Sequence, residues 1–166
     1  MLKFALIVGM ILIVAAGLRW WLVDRNRPRY LPLPIANDDP DMRAAMAKAR
    51  AQIDRFRELT ADPRLEAQIK VAFETSSGEI EHLWAEVLAV DADVVSVRYV
   101  TPPVSHVGSL ERLHEHNVDD IEDWVVFAED GRIFGGYTQR VVFDRARESG
   151  EPLPPELAEQ AERFVD

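Results

Sequence analysis

Cysteine is absent from this 166-residue sequence. That excludes disulfides, thiolate metal sites and cysteine nucleophiles, and it says nothing about redox compartment. Basic charge is scarce where nucleic acid would need it. Beyond Tyr30 the chain carries 14 Lys and Arg against 28 Asp and Glu, a net −14. Phosphate contacts require clustered bases, so nucleic acid is not an expected partner. No Gly-x-Ser-x-Gly, Walker or His-Glu-x-x-His motif occurs, and no cofactor is expected. Internal repeats, heptad arrays and low-complexity runs are missing as well.

What is present divides the chain in two. Residues up to Tyr30 hold five bases and one acid, a net +4, so the formal −10 of the whole averages a basic leader and an acidic body. Phe4–Leu18 is an unbroken apolar run of 15 residues. Continued through Arg19, Trp20, Trp21, Leu22 and Val23 it reaches 20, the length that spans a hydrocarbon core of about 30 Å. Arg19 lies near one end, where its stem can snorkel, and the tryptophans suit an interfacial belt. A cleavable signal peptide is the rival reading, with Lys3 as its basic start and Ala15-Ala16-Gly17 as a cleavage-like triplet. The apolar residues that resume after Arg19 favour an uncleaved anchor.

The expectation is a single-pass transmembrane anchor over residues 1–23 in a bacterial inner membrane, meeting the lipid bilayer through residues 4–23. Arg19, Arg25, Arg27 and Arg29 against Lys3 lean towards a cytoplasmic body, with the opposite arrangement left open. Residues 24–38 read as a basic, proline-stiffened tether, and residues 39–166 as one soluble domain.

Asp39-Pro40-Asp41 is a helix start: an N-cap acid, then proline in the first turn. Met42, Ala45, Met46, Ala49, Ile53 and Phe56 recur every three or four residues. They predict one amphipathic helix with a core-facing stripe, ended by Ala61-Asp62-Pro63. The period changes at Ile69–Phe73, a short strand, and Ser76-Ser77-Gly78 is turn chemistry. Glu79–Val90 predicts a long strand, apolar on both faces and therefore central and covered on both sides. Val94–Val100 follows the Asp91-Ala92-Asp93 turn, and Thr101-Pro102-Pro103 must leave the sheet. Ile121–Phe127 and Arg132–Phe143 predict a hairpin about Glu129-Asp130-Gly131. Pro154-Pro155 opens a last helix with Leu157, Ala161 and Phe164 inward. The expected fold class is α+β: an N-terminal transmembrane helix, an amphipathic helix, an antiparallel, rollable sheet of about five strands, and a C-terminal helix.

Few residues suggest chemistry. The four histidines are His82, His106, His114 and His116. On an extended segment His114-Glu115-His116 would direct both rings to one face, a spacing that metal sites use, with His106, Asp119 or Asp120 as a third ligand. Leu110–Val118 is polar and acidic, which favours a solvated loop, and no metal is expected. Glu81-His82-Leu83-Trp84 and Ile121-Glu122-Asp123-Trp124 each set an acid shortly before a tryptophan in a strand. A tuned carboxylate beside histidine can do acid–base work and tryptophan can wall a pocket, although tryptophans in strands more often fill cores. Gly135-Gly136-Tyr137-Thr138 falls within a strand pattern and predicts a bulge or a close backbone approach. A phosphate cradle needs a following helix N-terminus, and a strand is expected there instead.

These islands resemble an uncharacterised bacterial family, domain of unknown function 2314. The likeness rests on Asp41-Met42 with the alanine-rich helix to Phe56, Ile69-Lys70-Val71-x-Phe73, Glu81-His82-x-Trp84, Ile121-x-Asp123-Trp124 and Gly135-Gly136-Tyr137-Thr138-x-Arg140. Ser96–Thr101 departs from the glycine- and asparagine-bearing stretch that the family places before the proline. The resemblance implies no activity. It implies frequent export or membrane leaders and a likeness to small immunity domains. The expected function is a membrane-anchored, non-catalytic binding module for a protein or small ligand. Its candidate binding residues are Glu81, His82, Trp84, Asp123, Trp124, Gly135, Gly136 and Tyr137, with no catalytic or metal-ligating set. Two alternatives stand beside it: a small hydrolase or metal-assisted enzyme using Glu81, His82 and Asp123, and an immunity-like protein whose acidic body neutralises a basic toxin.

Overall fold

Asp39 closes the amino end of the first helix. In the computed structural model, which describes residues 39–99, 103, 107, 113–150 and 152–166, its carboxylate accepts from the backbone N–H of Asp41 at 2.9 Å and of Met42 at 3.3 Å. Pro40 sits in the first turn, where no intrahelical donor is missed. Helix α1 (Pro40–Ala51) buries Met42, Ala45 and Ala49, and α2 (Ile53–Thr60) buries Phe56. One continuous helix was the expectation; Gln52 interrupts it. Trp124 Nε1 donates to the Ala49 carbonyl at 3.0 Å, and Gln52 N–H donates to Lys48 O at 3.1 Å and Ala49 O at 3.2 Å. The carbonyl that Ile53 would use in an unbroken ladder is thereby taken, and a side chain inserted into the ladder bends a helix.

Among the described residues seven strands form one sheet in the order β4-β3-β2-β1-β5-β6-β7. They are β1 (Glu66–Glu74), β2 (Ile80–Asp91), β3 (Val94–Tyr99), β4 (Leu113–Asn117), β5 (Ile121–Phe127), β6 (Ile133–Gly135) and β7 (Phe164–Val165). All neighbours are antiparallel except β6 and β7, which run parallel, so the sheet is mixed. Helix α3 (Tyr137–Ser149) follows β6, and α4 (Pro155–Glu162) precedes β7. Ala45, Ala49 and Phe56 join Ala67, Ile69, Val71, Ala85, Val95, Val97, Trp124 and Tyr137 in one core on one face of the sheet.

The α+β class holds, but the expected fold is corrected on several counts. The sheet has seven strands rather than about five. The segment read as a polar loop is β4, whose inward positions are His114 and His116. Arg132–Phe143 is not one strand: it is three residues of β6 followed by α3, because Tyr137, Thr138, Phe143 and Ala146 are buried at helical spacing. Phe164 lies on β7 rather than on the last helix, and no residue of α4 is buried. Among the described residues no helix is long and apolar enough to cross a membrane. The transmembrane helix expected over residues 4–23 lies outside the described residues, as does the tether.

Strand β2 is central, yet its second face is not covered as its apolar pattern predicted. On that face Ile80 is 53%, Leu88 47%, Val94 of β3 40% and Leu113 of β4 60% exposed. Over β5 and the neighbouring Lys70 of β1 the face is closed, and there Val125 is fully buried beside Gly136 and the Phe164 ring.

Candidate functional site

The register of β1 against β5 shifts by one residue between Lys70 and Val71: Lys70 pairs with Asp123 and Val71 with Ile121, leaving Glu122 as the extra residue of a bulge. In a regular strand Ile121 and Trp124, three apart, would point to opposite faces. The bulge lets both enter the core and turns Glu122 and Asp123 together towards the other face.

Asp123 is fully buried, and its two oxygens receive four hydrogen bonds. Oδ1 accepts from Trp124 N–H at 2.8 Å and Tyr137 N–H at 3.2 Å; Oδ2 accepts from Thr138 N–H and Thr138 Oγ1, both at 2.7 Å. Tyr137 and Thr138 open α3, whose N-cap is Gly136, a residue with no side chain to cap with. Asp123 supplies from β5 what the cap residue lacks, and its charge faces the positive end of the helix. Burial pushes its carboxyl above the ordinary range, against the opposing pull of the hydrogen bonds from Thr138, Trp124 and Tyr137.

The glycines make that arrangement possible. Gly135 has φ +76°, and a Cβ there would lie 2.2 Å from the Trp124 carbonyl oxygen and 2.6 Å from the indole Cε3. A Cβ on Gly136, at φ +65°, would lie 2.3 Å from the Phe164 ring. The close backbone approach expected at this pair is present. The strand expected after it is a helix, and the amino end of that helix is filled by Asp123 rather than open to a phosphate.

On the open face, β2 and β5 flank β1. His82 Nδ1 and Glu122 Oε2 are 2.6 Å apart, and the pair spans β1 at Ala72, the register partner of His82. Trp84 pairs across the strands with Lys70, which pairs in turn with Asp123, and Lys70 is buried to 8% exposure. Trp84 itself is half-buried. Glu81 pairs with Phe73 and alternates to the opposite face from His82.

Of the eight candidate residues, the structure therefore keeps His82 and Trp84 together on the open face. Glu81 lies on the core side. Asp123, Trp124, Gly135, Gly136 and Tyr137 form the buried joint between β5, β6 and α3, with the Trp124 and Tyr137 rings edge to face at 5.9 Å. Glu81, His82 and Asp123, the trio of the enzyme alternative, do not converge. Glu122 and Lys70 were missed as site residues. A bulge leaves no mark in the hydrophobic pattern, and that is what hid Glu122.

His114 and His116 do lie on an extended strand and share a face, with ring centroids 6.4 Å apart. Tyr99 Oη and His116 Nε2 are 2.8 Å apart. Burial, then the neighbouring His114, lowers the His116 pKa, while Asp120 acts in the opposite sense; burial pushes the Tyr99 hydroxyl up to about 12. Among the described residues no three His, Asp or Glu side chains come together as a metal cage. His106 lies outside the described residues.

Residues 39–151 match the model of a family described as an uncharacterised protein conserved in bacteria, DUF2314. No curated protein and no solved structure matches the chain.

Proposed function

The chain belongs to this bacterial family, and from the way its shared islands are used we propose that it is a non-catalytic binding module whose contact surface is the open face of the sheet. The islands around Asp123 and Gly135-Gly136 serve the fold, so they leave the open face as the place for recognition. One observation carries the reading. Ile80, Leu88, Val94 and Leu113 are exposed on the same face as half-buried Trp84, where an antiparallel sheet turned to water ordinarily alternates to polar residues. Leu88 and Leu113 line one groove, and exposed apolar surface gathered in this way marks interaction sites. The net −14 of the chain beyond Tyr30 selects a partner with basic groups around its own apolar contact.

A photo-crosslinking amino acid placed at Ile80, Leu88 or Leu157 in the full chain tests this. Adducts from Ile80 and Leu88, and none from Leu157 on α4, are expected. The purified adduct partner should then bind Trp84→Ala and Leu88→Asp at least ten times more weakly than wild type, with both variants unfolding like the parent. Equal adducts from Leu157, or unchanged affinity in both variants, overturns the proposal.

A further inference from the structure

Strand β4 stands at one end of the sheet. Among the described residues it pairs only with β3; Val118 N–H donates to Asp93 O at 2.8 Å, which sets His114 and His116 in the hydrogen-bonded pairs with β3 and turns the N–H and C=O groups of Leu113, Glu115 and Asn117 outward. Leu113-His-Glu-His-Asn117 contains neither lysine nor proline, two residues that commonly blunt an edge, and its one charge is Glu115.

Beside this edge lies a groove of about 520 Å³ lined by Leu88, Ser96, Val97, Leu113, His114 and Glu115. Local irregularity builds it. Val87 pairs with Val97 and Ala89 with Ser96, so Leu88 is an extra residue of β2, and it reaches the open face 47% exposed. Ser96, opposite Glu115, is too small to fill the space beside it. Leu113 and Glu115, two apart on one strand, project to the same face. Arg98 on that face is held by Glu86, with Nη2 to Oε2 at 2.6 Å, whereas Glu115 takes part in no ion pair among the described residues.

We propose that the β4 edge receives an extended segment of a partner protein that adds an eighth strand and carries an aliphatic and a basic residue two positions apart. This rests on the open-face reading and gives its partner a definite chemistry. The added strand pairs with the outward N–H and C=O groups of Leu113, Glu115 and Asn117. Its side chains on the open face fall directly across from Leu113 and Glu115, about 5 Å away, the distance at which cross-strand pairs act. The aliphatic residue meets Leu113 and enters the groove against Leu88, and the Lys or Arg meets Glu115. An antiparallel segment reads basic-x-aliphatic and a parallel one aliphatic-x-basic. The acidic body draws such a segment in, and a segment with Glu at the basic position is repelled.

The probe is a fluorescein-labelled Thr-Thr-Lys-Thr-Leu-Thr-Thr peptide with its reversed sequence, a version with Glu for Lys, and a version N-methylated on the backbone of Lys, Leu and the Thr between them, which removes the ladder donors in either direction. All are titrated by anisotropy against the full chain, with hydrogen exchange read on β4. The Lys peptide in one of its two directions binds at least ten times more tightly than the Glu or N-methylated version and slows exchange at Leu113, Glu115 and Asn117. Glu115→Lys reverses the preference between the Lys and Glu peptides, while Leu113→Asp abolishes binding of both. No binding by either Lys peptide, equal binding by the N-methylated version, or a preference that survives Glu115→Lys overturns the proposal. Crosslinks from Ile80 and Leu88 obtained alongside such a failure leave the open-face reading standing; absent crosslinks with peptide binding intact remove that reading alone.

Discussion

Replacing Asp123 measures the joint between β5 and α3 directly. Asp123→Ala strands three backbone N–H groups and one hydroxyl, all buried. An unsatisfied buried donor costs about 1–3 kcal/mol, and relaxation or an entering water recovers part of that. Four donors at about 2 kcal/mol each, with half recovered, give a loss of about 4 kcal/mol. A cap at an exposed helix end costs only ~1 kcal/mol, so the two readings separate well. In a domain of this size each kcal/mol moves Tm by about 4 °C, and the expected fall is about 16 °C. Asp123→Asn keeps one oxygen for the Trp124 and Tyr137 N–H groups but sets an amide donor against Thr138 N–H, so about half the loss is expected.

Charge adds a pH signature. Because burial raises the Asp123 pKa, the folded state takes up a proton more readily than the unfolded chain does. The proton-linked part of its contribution is therefore full below the unfolded value near 3.8 and is lost as pH rises through the folded one, a slope that Asp123→Asn removes. Urea unfolding followed by circular dichroism across acidic pH reads both effects. A cost under about 1 kcal/mol for Asp123→Ala, the value of an ordinary exposed cap, would refute the reasoning.

Gly135→Ala combines a left-handed backbone with a Cβ 2.2 Å from Trp124 O, and about 3–5 kcal/mol should be lost. Gly78→Ala, at φ +81° with nothing within 4 Å, isolates the backbone share at about 1–2 kcal/mol; chemical denaturation compares the pair. Trp124→Phe frees the Ala49 carbonyl and should cost about 2–3 kcal/mol while slowing amide exchange at Ile53 relative to its neighbours, as the helix ladder closes. The lowered His116 pKa means that the unfolded chain binds the proton first as pH falls below about 6.5. Stability should drop through that window down to the folded value, and His116→Gln should flatten the drop in urea midpoints.

The legible parts of the fold were those whose signals are local. The Asp39-Pro40 cap, the stripe from Met42 to Phe56 and the period-2 pattern of β1 to β3 and β5 lie within a few residues of what they dictate. The Gln52 break was illegible because its cause, Trp124, is 75 residues from the carbonyl it occupies. Strand β4 escaped because its inward residues are imidazoles, which no apolar alternation marks. Helix α3 was hidden twice over. Val141-Val142-Phe143 favours strands, and the helix start carries no capping residue because its cap sits on β5. For the site, His82, Trp84 and Asp123 stood out by residue type. Their division between an open face and a buried joint followed from strand register, which one sequence does not reveal.

The cap borrowed from β5 also orders events in time. A helix whose first turn is satisfied by its own neighbours can begin to form while the rest of the chain is still loose. Helix α3 has glycine at that position, and its acceptor lies 14 residues back, on a strand that must already be bent by its bulge. Residues 137–149 taken as an isolated peptide should therefore show little helix. In the whole chain α3 should appear only after β5 has joined β1, making it a late and dependent element that is among the first to be released when the sheet loosens.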